Sequence, residues 1–291
     1  MADFVLFTDS CSDLSLAMVK KIGVEVIPMS FMVDDKIYRN YPDEREMTTK
    51  NFYDLIRNKK TSSTSQLNPQ EFDDIFRKYL EKGLDVLYIA FSSALSGTYA
   101  SAVQAGPNLE KEYPGRKVVA VDSLAASMGL GLLTWHAATL KKQGKTLEEI
   151  QEWLEKNKKR LDHLFTVDDL MYLKRGGRLS AVVATIGTII KLKPLLHVSP
   201  EGKLVQTGVA RGRRQALNRM VDRMMQTIEQ PLELPIFISH GDCPEDVEYM
   251  SEQVKMRIPG AIIETGYIGP VIGSHSGPGT IAIYYLGNDR L

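Results

Sequence analysis

Three times in the first 125 residues a short apolar run ends in polar residues and gives way to a helical pattern. FVLFT at residues 4–8 precedes Asp9-Ser10, VLYIA at 86–90 leads to Ser92-Ser93, and VVAV at 118–121 leads to Asp122-Ser123. Runs of this length bounded by turn residues read as buried strands. Strands that alternate with helices build a mostly parallel sheet whose faces are covered. In the first unit Ser12 or Asp13 is expected to cap a helix running through Leu16, Val19 and Ile22. Ligands of such sheets collect beyond the carboxyl ends of the strands, so the polar ends TDS, SS and DS matter as a set.

The second half changes grammar. A polar helix over residues 147–160 (LEEIQEWLEKNKKR) precedes a strand at 164–167 and looks like a bridge. A chain of 291 residues exceeds the usual size of one domain. The expected division is therefore an N-terminal α/β domain, residues 1–160, and a C-terminal α/β domain, residues 161–291. In the latter, a helix over 168–174 leads to the turn RGGR at 175–178. Leu179, Val182, Val183, Ile186, Ile189 and Ile190 then fall at helical spacing as one apolar stripe. Strands at 195–198 and 204–209 flank the turn SPEGK. A helix at 214–226, a strand at 234–240, a helix at 244–255 and two late strands complete the pattern.

Charge and cysteine content exclude several functions. Lys+Arg and Asp+Glu both number 36, so no global field draws nucleic acid or an anionic membrane. Cys11 and Cys243 make neither a CxxC pair nor a disulfide framework, which suits a reducing compartment, the cytoplasm by default. The acidic opening MADFVLFTDSCSD lacks the basic start of a signal peptide, and no uncharged apolar segment approaches the ~18 residues of a membrane span. Neither export nor stable membrane insertion is expected.

Nucleotide and metal motifs fail on inspection. KKQGKT at 141–146 ends like a phosphate-binding loop, yet Thr139 stands where its opening glycine belongs. MGLG at 128–131 lies within a helical pattern and lacks the third glycine of a dinucleotide site, so close packing explains it better. The five histidines, 136, 163, 197, 240 and 275, have no zinc-ligand spacing, and no metal or cofactor is expected. Neutral donors remain: Thr64 and Ser65, Ser93, Ser96 and Thr98, and His275 set between glycine and Gly277-Pro-Gly. Hydroxyls and backbone N–H groups near a helix start can hold a carboxylate or phosphate. The same residues could instead cap a helix, decorate a loop, or, for His275, serve as a buried structural ring. Ser96 and His275 could also belong to a small-molecule hydrolase or phosphotransferase, although SSALSGT lacks the GxSxG elbow.

With those residues in view, the chain resembles the DegV family of bacterial fatty-acid-binding proteins over nearly its whole length. The resemblance rests on FTDSCSDL (7–14), KKTSSTSQLNPQEF (59–72), SSALSGTYASA (92–102), VDS (121–123), LMYLKRGGRLS (170–180), KPLLHVSPEGKL (193–204) and GPVIGSHSGPGTIAI (269–283), in this order. It implies two α/β domains enclosing a long-chain fatty acid such as palmitate, stearate or oleate in a tunnel. Its carboxylate would be fastened by Thr64 and Ser96, with Ser65 and Gly97 beside them and His275 orienting the head group.

The resemblance also implies a non-catalytic protein that presents its acid to a separate ATP-dependent fatty acid kinase. Arg211, Arg175 and Arg178 would then lie at the head-group mouth or on the kinase contact, with Arg213 and Arg214 nearby. The stripe from Leu179 to Ile190 would line the tunnel or pack in the core. Leu67-Asn68 departs from the Pro-Ser common in the family, which leaves open what position 68 contacts.

Overall fold

The computed structural model describes residues 3–179, 192–230, 232–288 and 290. The chain begins β1 (Phe4–Asp9), α1 (Leu16–Ile22), β2 (Glu25–Ile27), β3 (Ser30–Val33), β4 (Lys36–Arg39), α2 (Thr49–Arg57), β5 (Ser62–Ser65) and α3 (Pro69–Leu80). It continues through β6 (Asp85–Ala90), α4 (Thr98–Glu112), β7 (Val118–Asp122), α5 (Met128–Lys142) and α6 (Leu147–Asn157). Then follow β8 (Leu161–Thr166), α7 (Met171–Arg175), β9 (Leu192–Val198), β10 (Leu204–Arg211) and α8 (Arg213–Thr227). The last elements are β11 (Ile236–His240), α9 (Pro244–Arg257), β12 (Ile263–Tyr267), α10 (Pro270–Ser276) and β13 (Ile281–Leu286).

The three strands expected from the repeated grammar are β1, β6 and β7, joined by β2 in a parallel sheet of order β2-β1-β6-β7. From β1 the chain moves outward to β2, and from β6 it moves outward the other way to β7. The crevice beyond the carboxyl ends of β1 and β6 is therefore the switch point at which such sheets receive ligands. A second sheet, β10-β9-β8-β13-β11-β12, is antiparallel apart from β11 with β12. The fold is mixed α/β, as the sequence pattern implies.

One feature departs from that pattern. β3, β4 and β5 form a small antiparallel sheet with β3 in the centre, so Thr64 and Ser65 stand on a strand, not a loop. Thr64 pairs with Phe31 in this register.

Several boundaries also move. Ser15, not Ser12 or Asp13, caps α1 through Met18 N–H at 3.3 Å. Asp13 sits in the left-handed region at φ 52 and accepts from Ser127 Oγ (2.5 Å) and Gly269 N (3.0 Å). The helix read over 168–174 is confined to α7. His275 lies on α10, with Pro270 in its first turn, where a missing N–H costs nothing.

Helix α5 explains how the sheets meet. It is buried from Met128 through Leu133, at Thr134, and again from His136 to Ala138, and it packs against β6, β8, β11 and β13. Gly129 and Gly131 carry no side chain where one would collide with His163 and with the Ser12 carbonyl, which bears out close packing as the meaning of MGLG. The first sheet, the small sheet and the inward residues of β8, β9 and β13 share one hydrophobic core. Outward residues of the second sheet, such as Leu164, Ile281 and Ile283, pack with α8 and α9 in another.

Candidate functional site

Between the sheets lies a cavity of ≈ 410 Å³, within the ~300–1,000 Å³ usual for small-ligand sites. Its walls are largely apolar: Met29, Phe91, Leu95, Phe165, Val198 and Ile272 represent the elements that contribute. Strand alternation supplies one side, since His163 and Phe165 of β8 and Ala282 and Tyr284 of β13 face inward while Leu164 and Ile283 face away. The switch point supplies the other, through Cys11 after β1 and Phe91 and Leu95 after β6.

The polar strand ends that the sequence singled out hold these walls in place. Asp9 is fully buried and accepts from Tyr88 Oη (2.6 Å), Cys11 N (2.9 Å) and Phe91 N (3.1 Å), tying β1 to the turn after β6. Burial raises its carboxyl above the usual value, against the pull of these donors. Asp122 accepts from Ser93 N and Leu124 N, each at 3.1 Å, and Ser92 Oγ donates to the Gly202 carbonyl at 2.9 Å.

Polar groups gather where β5, the Ser96 turn, Arg178 and α10 converge. Thr64 Oγ1 and His275 Nε2 are hydrogen-bonded at 2.8 Å, and Thr64, Ser65, Gln66, Ser96, Arg178 and His275 all line the cavity. His275 can sit here because Gly176 has no Cβ, which would overlap Nδ1. Burial, with the Arg178 charge adding to it, lowers the imidazole to about 4, so the ring is neutral near pH 7. A neutral ring and a hydroxyl hold two hydrogens between them and use one in their mutual bond. Whichever way the bond runs, one donor is left over, on Thr64 Oγ1 or on His275 Nδ1. Nδ1 has no partner of its own among the described residues.

Ser96 Oγ pairs with Thr98 Oγ1 at 2.9 Å rather than with His275. Among the described residues the serine–histidine bond of a nucleophilic pair is thus missing, and no carboxylate orients Nδ1. Gly97 is not among the lining residues, and its N–H donates to Gln66 Oε1 at 3.1 Å. Arg178 Nε donates to the Leu95 carbonyl at 3.2 Å, which sets its guanidinium at the cavity edge.

The other arginines are not in the lining. Arg175 lies over the Tyr172 ring at 4.7 Å, and Arg211 is exposed at the end of β10. Arg213 is tied to Asp246 at 2.8 Å, and Arg214 stacks on Tyr249 at 3.8 Å. Asn68 caps α3 in a capping box with Glu71, which is what the departure at 67–68 contacts, and Leu67 is buried. Of the apolar stripe only Leu179 is described, half-buried against the core; the rest lies outside the described residues. Sequence reasoning did not single out Gln66, Gly176, His163 and Tyr284. Gln66 and Gly176 lie beside residues it did choose, whereas His163 and Tyr284 become neighbours only through the pairing of β8 with β13.

Residues 3–288 match the family model of the uncharacterised DegV proteins. A DegV domain-containing protein of Clostridium perfringens is 42% identical over 290 residues, covering 100% of this chain and 99% of its own. One from Lactococcus lactis is 35% identical, with 97% of each chain covered. Among solved structures, a DegV family protein from Thermus thermophilus described for its fatty acid binding aligns with a TM-score of 0.86 and 32% identity, over 98% of this chain and 100% of that one. DegV from Bacillus subtilis, described as a fatty acid binding protein, aligns with a TM-score of 0.84 and 29% identity, over 99% and 100%.

Proposed function

This chain belongs to the DegV family, and from that premise we propose that it binds a long-chain fatty acid in the cavity between residues 1–160 and 161–291. The observation that carries the reading is an apolar cavity whose polar groups converge on the hydrogen-bonded Thr64–His275 pair and Ser96. Burying about fourteen methylenes at roughly 0.8 kcal/mol each would supply ~11 kcal/mol before ordering costs. The head group then sets orientation. Thr64 and Ser96 donate to the carboxylate, Ser65 stands beside them, and His275 fixes the Thr64 hydroxyl.

The protein is a binder that presents the acid's carboxyl to a separate ATP-dependent kinase for acyl-phosphate formation, with Arg178 at the opening and Arg175 and Arg211 on the contact. The separation of Ser96 from His275 supports binding over turnover. A cytoplasmic location suits the two free cysteines, Cys11 and Cys243. Mass spectrometry of lipid extracted from freshly purified protein should find a long-chain fatty acid. Lipid-free protein that also refuses added palmitate and oleate would overturn the reading.

A further inference from the structure

His163 is 1% exposed, lines the cavity, and has no hydrogen-bond partner on either ring nitrogen among the described residues. Its neighbours fix it in place without satisfying it. Tyr284 meets it edge-on at 5.5 Å between centroids, and Gly129 leaves it the room a Cβ would fill. Polar groups around it are engaged elsewhere: Tyr284 Oη with Ser239 Oγ (2.8 Å), Ser239 with Ser127 (3.1 Å), Ser127 with Asp13 (2.5 Å), and the Leu161 carbonyl, the backbone group that faces the ring, with Arg290 Nε (2.7 Å). A buried polar side chain with no partner is costly, so native folds seldom keep one.

Position separates His163 from the head-group cluster. β8 and β13 pair with Thr166 opposite Ile281 and His163 opposite Tyr284. Helix α10, which carries His275, feeds into the Ile281 end. His163 is three residues deeper along β8, or about 10 Å at the rise of a strand. An unsubstituted alkyl chain passing that point would leave both ring nitrogens unpaired.

We propose that His163 is a specificity-determining residue that receives a hydroxyl group carried on the acyl chain well away from the carboxylate. This rests on the fatty-acid reading above and names the substrate class within it: long-chain hydroxy fatty acids. The chemistry matches. A neutral imidazole offers one donor and one acceptor, and a hydroxyl can answer either. Burial keeps the ring neutral by lowering it well below its ordinary value, which disfavours a second carboxylate at the same place.

Competitive binding of stearate and of 2-, 10- and 12-hydroxystearate to the full chain tests the assignment. In the wild type, 10- or 12-hydroxystearate should bind about 3- to 10-fold more tightly than stearate, the span of one net hydrogen bond, and 2-hydroxystearate should show no such gain. His163→Leu should remove the gain while keeping stearate. ¹⁵N-histidine spectra of the wild type provide a check that needs no variant: the His163 signals should move with the favoured hydroxy acid and not with stearate. Equal or weaker binding of both distal hydroxy acids, or a gain unchanged in His163→Leu, would overturn the proposal while stearate binding left the fatty-acid reading standing. Failure of every acid to bind would overturn both.

Discussion

Two histidines that line the cavity are each seated against a glycine, His275 on Gly176 and His163 on Gly129, but the two rings are furnished differently. His275 has a hydroxyl partner, a nearby guanidinium and further hydroxyls around it. His163 has an aromatic edge and, among the described residues, no hydrogen-bond partner. Both rings are neutral for the same reason, burial. What distinguishes them is therefore the company each keeps: His275 stands among hydroxyls and a guanidinium, which suits the proposed carboxylate, and His163 among groups that suit only a neutral one.

The largest expected effect falls on the surroundings of His275. Thr64→Val keeps the side chain's shape and removes the hydroxyl, so affinity for palmitate should drop about 10- to 100-fold, as for a hydrogen bond to a charged group. His163→Leu should leave palmitate affinity within a few-fold, and displacement titration of both variants compares the two places directly. An equal loss in both would erase the distinction.

Next come the glycines. Gly176→Ala and Gly129→Ala each place a methyl group where an imidazole lies, and each should cost about 1–3 kcal/mol in urea unfolding. Only the Gly176 variant should also lose palmitate.

Acid acts on both rings together. His136, His197 and His275 are held near 4 and His163 and His240 are also lowered, against about 6.5 unfolded. Between pH 6.5 and 4 the unfolded chain takes up protons that the folded one refuses, so stability falls as pH falls. Asp13 works in the opposite sense, because burial lifts it to about 8 and the folded state keeps a proton that the unfolded chain has released. Asp9, also raised by burial, adds to Asp13. At pH 6.5 the five unfolded histidines still carry about 2.5 protons between them, so they set the slope there, and the two carboxyls prevail only from near pH 7 upward. Thermal unfolding should show maximal stability near pH 7, and Asp13→Asn should flatten the alkaline side. The smallest effect belongs to Arg211→Ala, which should change stability by less than about 0.5 kcal/mol and leave palmitate affinity unchanged.

The surroundings of His275 were also the more legible in sequence. Thr64, Ser96, Arg178 and His275 lie in hydroxyl-rich or glycine-flanked stretches that stand out from periodic elements, and the parallel sheet follows from apolar runs ending in polar turns. The small sheet escaped notice because β5, SSTS, contains no apolar residue, so its pairing with Phe31 and Met32 leaves no alternation to read. Its β3–β4 turn, Asp34-Asp35, lacks the Asn-Gly or Asp-Gly signature of a hairpin even though Asp34 takes φ 50. His163 sits in LDHLFT, a run buried at every position, where a histidine shows nothing of which layer it will face. Nor does the sequence show that Gly97 N–H donates to Gln66 Oε1, because only the fold brings the two together.

The most direct test is a crystal structure of the protein with stearate bound. The carboxylate should lie within hydrogen-bond distance of Thr64 and Ser96, and the alkyl chain should run past Phe165 toward His163. A carboxylate lodged elsewhere, or an acid lying outside the space between the two sheets, would contradict the proposed site.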